Sequence, residues 1–597
     1  MRYLWLILIL PLWSFSQVTI QKTNEKWQLN VDGEPFEIKG VTFGYTDHVA
    51  MYMDRFKELK SLGVNTIRTW ATGPNTALLL EAAERNDIKV LMGIWMRHGR
   101  PGMEDDDKFD YLNDKEGMEA MYNNAIDVVR RFKGHPAVLA WGIGNEVYLN
   151  TATDEEKVAY SKLLERICKD IKTMDKIHPI LSVEAWTFGL DWWEKYVPSL
   201  DIYGLNIYGA GADFLQDELD KRNINKPYVI TEFGVTGEWD IKNETYGVKK
   251  EPSDLEKYEA MTKGYTNWIK SKPSCLGVYI FHYGNGNKFL APWLLTHVNG
   301  LKRPQYWAIR EAYTGKKPNH NLLNFQIELP EGAFDSGTWI PVTLDVKQPA
   351  DSIVEVNFYY NHRYGSRRRR DAITQLDSRG DFENGFEIKL PKVDGGIKVY
   401  AYLTYAKDNL AISSDAIKVL DEEERDRAFL LPKVELPFYV YKDGYNIPYT
   451  PSAYMGNHEA MVVDVNHDKN VYAGNSALKI SYTSSQDWYG FALVDPANDW
   501  GDILGGYDIS GARVFSFWAK GSYNGLKAQI GFGLIGDDKP FPDSVKVLED
   551  FELTTQWKEY RIKVKREDLS AIRSGLVLFA AADGFAHDIY IDEVKFE

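Results

Sequence analysis

Short apolar runs alternate eight times with stretches of helical periodicity along the first half of the chain. The runs lie at 38–43, 65–70, 89–94, 138–142, 179–183, 201–206, 228–231 and 277–281. Each has the length and continuous hydrophobicity of a strand buried on both faces. Between and after them, apolar residues recur at helical spacing over 47–62, 76–86, 115–132, 154–174, 190–196, 213–222, 254–269 and 305–313. Eight strand–helix units over roughly 280 residues predict a (β/α)8 barrel. A doubly wound open sheet is the competing arrangement, but it usually has fewer strands and a glycine-rich phosphate loop after the first. The segment from Gly40 to Gly44 has no such loop.

The pattern changes on either side of the barrel. Residues 18–39 read as a hairpin with its turn at Asp32 and Gly33. Beyond about residue 316 the period falls to two. Strands are predicted at 340–346, 353–360, 386–390 and 397–405, then at 476–482, 514–519, 558–564 and 588–596. The fold class expected is therefore multidomain: a (β/α)8 TIM barrel, an immunoglobulin-like β-sandwich and a jelly-roll β-sandwich. The domain map is a signal peptide over 1–17, the barrel with its hairpin over 18–316, the first sandwich over 317–420, a charged linker over 421–433 and the second sandwich over 434–597.

At the start, Met1 and Arg2 precede an apolar run to Trp13, followed by Ser14, Phe15, Ser16 and Gln17. This is the layout of a cleaved signal peptide, too short to span a bilayer and without a cysteine at the cleavage site. Secretion or periplasmic export is expected, without membrane insertion. The only cysteines, Cys168 and Cys275, sit in apolar-periodic segments, so disulfides are not the source of stability. A net charge of −16 gives no electrostatic reason to bind nucleic acid. The basic run Arg367 to Arg370 reads as a solvated turn. A monomer is expected. Aromatics make up 14% of the chain, including 18 Trp and 36 Tyr, the residue types on which sugar rings stack.

Barrel enzymes place reactive groups at the C-terminal ends of strands. Strand four ends in Asn145 and Glu146, and strand seven in Thr231, Glu232, Phe233 and Gly234. Either carboxylate alone is a weak signal. Together on one rim they supply the two carboxyls that glycoside hydrolysis needs. The 11 histidines form no zinc-binding motif, no Gly-x-Ser-x-Gly elbow occurs, and no cofactor is expected for catalysis.

Residues 30–315 resemble clan A of the glycoside hydrolases, most of all the family 2 barrels and the β-1,3-glucanosyltransferases. The likeness rests on the segments 36–41, 65–68, 144–147 and 203–208. The resemblance implies a retaining mechanism with Glu146 as acid/base, Glu232 as nucleophile and Asn145 bonded to the sugar 2-hydroxyl. It also implies that Arg68, ending strand two, keeps Glu232 ionised and that the hydroxyl of Tyr208, after strand six, reaches the same carboxylate. Many clan members carry Trp at the end of strand eight as a subsite floor. This chain has Phe281, His282 and Tyr283 there, so Tyr283 or Trp293 is expected to substitute, with Trp70, Trp95 and Trp186 as further sugar platforms. Residues 440–597 resemble β-sandwich carbohydrate-binding modules. That likeness implies stacking by Trp488, Tyr489 and Trp500, and a structural calcium held by Asp592. The function expected is hydrolysis of a β-glucan-type glycan. A transglycosylase using the same residues and a non-catalytic glycan-binding protein are the alternatives.

Overall fold

The computed structural model describes residues 17–99, 109–151, 153–241, 245–284, 292–347, 352–362, 373–424, 431–444, 447–536 and 538–597. The signal segment up to Ser16, the basic run 367–370 and residues 425–430 of the charged linker lie outside the described residues.

Eight parallel strands close into a barrel: Ile38–Phe43, Thr66–Arg68, Lys89–Ile94, Val138–Asn145, Ile180–Ala185, Ile202–Asn206, Tyr228–Phe233 and Cys275–Tyr283. Every residue of strands four and seven is buried, which is why both read as unbroken apolar runs until their last polar positions. The helices Lys115–Phe132, Asp154–Met174 and Leu190–Tyr196 have the predicted bounds. Asp154–Met174 starts where the Thr153 side chain accepts the N–H of Glu156, an N-cap that fixes the chain just after strand four.

The N-terminal segment forms a three-stranded sheet, Val18–Thr23, Lys26–Val31 and Glu34–Pro35, rather than a single hairpin. The extra turn falls at Asn24 and Glu25, which both take positive φ as Asp32 and Gly33 do. Val18, Leu29 and Val31 from this sheet form one apolar cluster with Ile38, Leu91, Leu139, Leu181, Ile202, Val229 and Leu276, so the sheet packs on the barrel.

The first sandwich pairs a seven-stranded sheet with a four-stranded one around Phe358, Ile388, Ile397, Val399 and Ile417. Its longest strand, Asn409–Leu420, was not foreseen. That strand pairs at Asn409 with Lys302, in a small hairpin of the barrel's own last loop. Barrel and sandwich are also joined by buried ions. Asp254 binds the Arg303 guanidinium at 2.5 and 3.1 Å and accepts the backbone N–H of Ile412 from the sandwich at 3.0 Å. Glu251 pairs with Lys257, and Lys398 of the sandwich lies 3.6 Å from Glu251. All five charged side chains are buried.

The C-terminal sandwich packs a six-stranded sheet on a five-stranded one around a separate core that includes Phe491, Phe515, Phe517, Phe532 and Phe596. The two sandwiches follow the barrel as the sequence pattern predicts. Among the described residues no helix is long and apolar enough to cross a membrane.

Candidate active site

The C-terminal ends of strands two, four, six and seven converge on one hydrogen-bonded network. Glu232, at the end of strand seven, is 6% exposed. Its Oε1 accepts from Arg68 Nη1 at 2.8 Å and from the Trp70 indole N–H at 3.0 Å, and its Oε2 accepts the Tyr208 hydroxyl at 2.7 Å. Three donors, one of them a guanidinium, fix the orientation of this carboxyl. Burial, then the negative charge of Glu232, pushes the Tyr208 hydroxyl well above its ordinary range, so Tyr208 remains a donor.

Arg68 carries the network across the barrel. Its Nη2 donates to Asn145 Oδ1 at 2.6 Å, and the same oxygen accepts from Asn206 Nδ2 at 3.2 Å. Asn206 Nδ2 also donates to Glu146 Oε1 at 2.7 Å, while its Oδ1 accepts the Thr231 hydroxyl at 2.8 Å. Glu232, Arg68, Asn145, Asn206 and Glu146 thus form one continuous chain of contacts. Each amide oxygen is already taken, which fixes both amide orientations.

Glu146 sits on a sharp bend just past strand four. Gly144 has φ 75° and Glu146 itself φ 53°. A Cβ at Gly144 would stand 2.4 Å from the Tyr160 hydroxyl, so the bend requires glycine there. The Glu146 N–H donates to the Val183 carbonyl, and its own carbonyl accepts from Asn150 through both backbone and side chain. His98 is buried behind this strand end, with Nε2 donating to the Asn145 carbonyl at 3.0 Å.

Of the aromatic expectations, Trp70 and Tyr208 lie at the carboxylate. Trp186 is half-buried at the end of strand five, with φ 47° and its N–H donating to the Asn206 carbonyl. Trp95, also half-buried, packs on His98. Tyr283 and Trp293 do not form a subsite floor. Tyr283 is fully buried, stacked on Phe43, with its hydroxyl donating to Glu58 of the helix Tyr52–Ser61. Trp293 is buried under Lys398, and its indole N–H donates to the Thr236 carbonyl. Instead Phe281 packs edge-on against both Trp70 and Tyr208, and Trp239, half exposed, packs edge-on against Tyr208 from the loop after strand seven.

Asn206, Trp239 and one further carboxyl, Glu184, are not singled out by the sequence, and Phe281 is placed at the end of strand eight without a role. Asn206 and Glu184 had a signal, since both are polar residues in the last two positions of barrel strands. Trp239 had none, because its place depends on the path of a loop.

In the C-terminal sandwich, Trp488 and Trp500 are exposed but Tyr489 is not. Its ring is buried against Tyr482 and its hydroxyl bonds to His587, so it belongs to the core. Asp592 is fully buried, and its two oxygens accept the N–H groups of Tyr472, Ala473 and Glu593. Burial pushes this carboxyl up to about 6 against the pull of those donors. A calcium ion needs six to eight oxygen ligands. Asp592 is ringed by N–H donors, and among the described residues no group of three or more His, Cys, Asp or Glu could hold a metal. The calcium expectation does not fit this site.

Residues 34–274 match the family model described as glycosyl hydrolases family 2, TIM barrel domain. No curated protein matches the chain. Among solved structures, a Bacteroides uniformis β-glucuronidase 2 aligns with 96% of this chain and 67% of its own, at 11% identity and a TM-score of 0.40. An Eisenbergiella tayi β-galacturonidase aligns with 51% of this chain and 54% of its own, at 19% identity and a TM-score of 0.37. A Thermotoga petrophila endo-β-1,4-mannanase aligns with 66% of this chain and 99% of its own, at 12% identity and a TM-score of 0.34.

Proposed function

We propose, from the premise that residues 34–274 are a family 2 glycosyl hydrolase barrel, that this glycoside hydrolase is a retaining enzyme with Glu232 as nucleophile and Glu146 as acid/base. The observation that carries the reading is the single network joining the two carboxyls through Arg68, Asn145 and Asn206. Glu232 attacks the anomeric carbon while Glu146 gives its proton to the departing glycosidic oxygen. The Glu146 carboxylate then takes a proton from the water that attacks the glycosyl–Glu232 ester. Two displacements restore the β configuration. Asn145, its Oδ1 occupied by Arg68 and Asn206, has its Nδ2 left to donate to a sugar hydroxyl.

The substrate class we propose is a β-glucan-type polysaccharide or oligosaccharide, met outside the cytoplasm. The aromatic rim of Trp70, Tyr208, Trp239 and Phe281 supports a sugar ring stacked beside Glu232. The test is a panel of β-linked glycans and aryl β-glycosides, with Glu232→Gln as the inactive control. Turnover confined to β-glucans and β-glucosides supports this class; turnover confined to uronides or mannans replaces it.

Trp488 and Trp500 support a glycan-holding role for the C-terminal sandwich. Replacing both with Ala is expected to lower adsorption to insoluble glycan at least about tenfold, since each stacked ring contributes roughly 1 kcal/mol. Turnover of short soluble substrates should stay unchanged. Unaltered adsorption would assign the sandwich a bracing role.

A further inference from the structure

Glu184 is the last residue but one of strand five, next to the strand that leads to Glu146, and it is completely buried. The neighbouring register pairs Asn145 with Val183, so the two glutamates leave adjacent strands at the same level. Among the described residues Glu184 forms no salt bridge. Its partners are backbone N–H groups: Oε2 accepts from Tyr148 at 2.7 Å, and Oε1 from Ala185 at 2.8 Å and Leu149 at 3.3 Å. Two of these donors belong to the turn that immediately follows Glu146.

The other ionisable groups facing Glu184 come from that turn and from the helix Asp154–Met174. They are the hydroxyls of Tyr148 and Tyr160, both buried, and Lys157, whose ammonium lies 3.9 Å from Asp154 and also feels Glu184. The hydroxyls remain neutral, since burial pushes both far above their ordinary range. Lys157 is therefore the cation set against two carboxyls, Asp154 and Glu184, and Asp154 takes part of its charge.

We propose that Glu184 is a positioning residue for proton transfer by Glu146: it clamps the turn through Tyr148 and Leu149 and, with Glu146, forms a pair that holds one proton. The proposal rests on the acid/base reading of Glu146. The clamp explains how Glu146 is kept at positive φ, a conformation an L-residue rarely adopts. The shared proton follows from the complete burial of Glu184 and from the adjacent register that brings Glu146 next to it, since two neighbouring carboxyls cannot both ionise cheaply. Burial, then the charge of Glu146, pushes the Glu184 carboxyl up to about 8, so the pair keeps its proton through neutral pH. The pair's loss of that proton sets the basic limb of activity.

The test compares Glu184→Gln with the wild type in the pH dependence of kcat/KM, on an aryl β-glycoside that the wild type turns over. Gln keeps one of the two acceptor oxygens of the clamp but cannot share a proton. The basic limb is expected to move to lower pH by about 1 or more. At pH 8 this lowers kcat/KM roughly tenfold, while less is lost at pH 5.5. A basic limb that stays in place overturns the proposal. Full turnover by Glu146→Ala on the same substrate would instead overturn the acid/base reading itself. A second measurement does not depend on the variant folding. Infrared difference spectra of the wild type between pH 6 and 9.5 should show a protonated carboxyl band disappearing near pH 8. Absence of that band overturns the shared proton.

Discussion

Glu146→Ala and Glu232→Ala are expected to fail in different ways. Without Glu146 no proton reaches the leaving oxygen, so glycosides with poor leaving groups lose about 10²–10⁴-fold in turnover. Activated aryl glycosides need little protonation and still form the glycosyl–Glu232 ester, which then accumulates. Azide fills the vacated space and attacks the ester, restoring turnover and giving a β-glycosyl azide. The basic limb of the pH profile also disappears, because the group whose deprotonation caused it has gone. Without Glu232 there is no ester. Loss is about 10⁴–10⁶-fold for every leaving group, and azide gives no β product. The difference has a structural source. Glu232 accepts from Arg68, Trp70 and Tyr208, whereas the Glu146 carboxyl is bonded by the neutral amide of Asn206. The reverse pattern of rescue would exchange the two roles.

The second large effect is on stability. Asp254→Ala removes the acceptor that Arg303 of the barrel and the Ile412 N–H of the first sandwich share. Arg303 is fully buried and, among the described residues, keeps as hydrogen-bond partners the carbonyls of Pro292 and Leu295, while the Ile412 N–H loses its acceptor. Breaking a buried pair in this way costs about 3–5 kcal/mol. The loss is expected as an earlier urea transition of the barrel and first sandwich together, with the C-terminal core unfolding at its unchanged midpoint. A cost below about 1 kcal/mol would show that water reaches these ions.

The elements that were legible in the sequence owe it to burial. Barrel strands covered on both faces read as continuous apolar runs, and Asn145 with Glu146 interrupts one of them at its end. Lys115–Phe132 and Asp154–Met174 were legible from their apolar periodicity, and in the structure the side chains of Asp114 and Thr153 cap their starts. Asn409–Leu420 was missed because it breaks strict alternation: it is covered on one face by its own sandwich core and reaches the barrel through Asn409 and Ile412. Tyr283 and Tyr489 were misassigned for one reason. An aromatic ring at a strand end looks the same in sequence whether it faces sugar or packs inward. Only the third dimension reveals the hydroxyl partners, Glu58 and His587, that hold these two inside. Glu184 lay in plain view, near the end of strand five as Glu146 follows strand four. A single carboxyl without a partner on the far side of the barrel gave no reason to single it out.

The central claim is that Glu232 becomes covalently bonded to the sugar. It is tested most directly by inactivating the enzyme with a 2-deoxy-2-fluoro β-glycoside of the sugar found in the substrate panel, then mapping the labelled peptide by mass spectrometry. The expected result is one fluoroglycosyl group per chain, on Glu232, in a peptide that includes residues 227–234. A label on Glu146, or complete turnover with inversion to the α-anomer and no label anywhere, would contradict it.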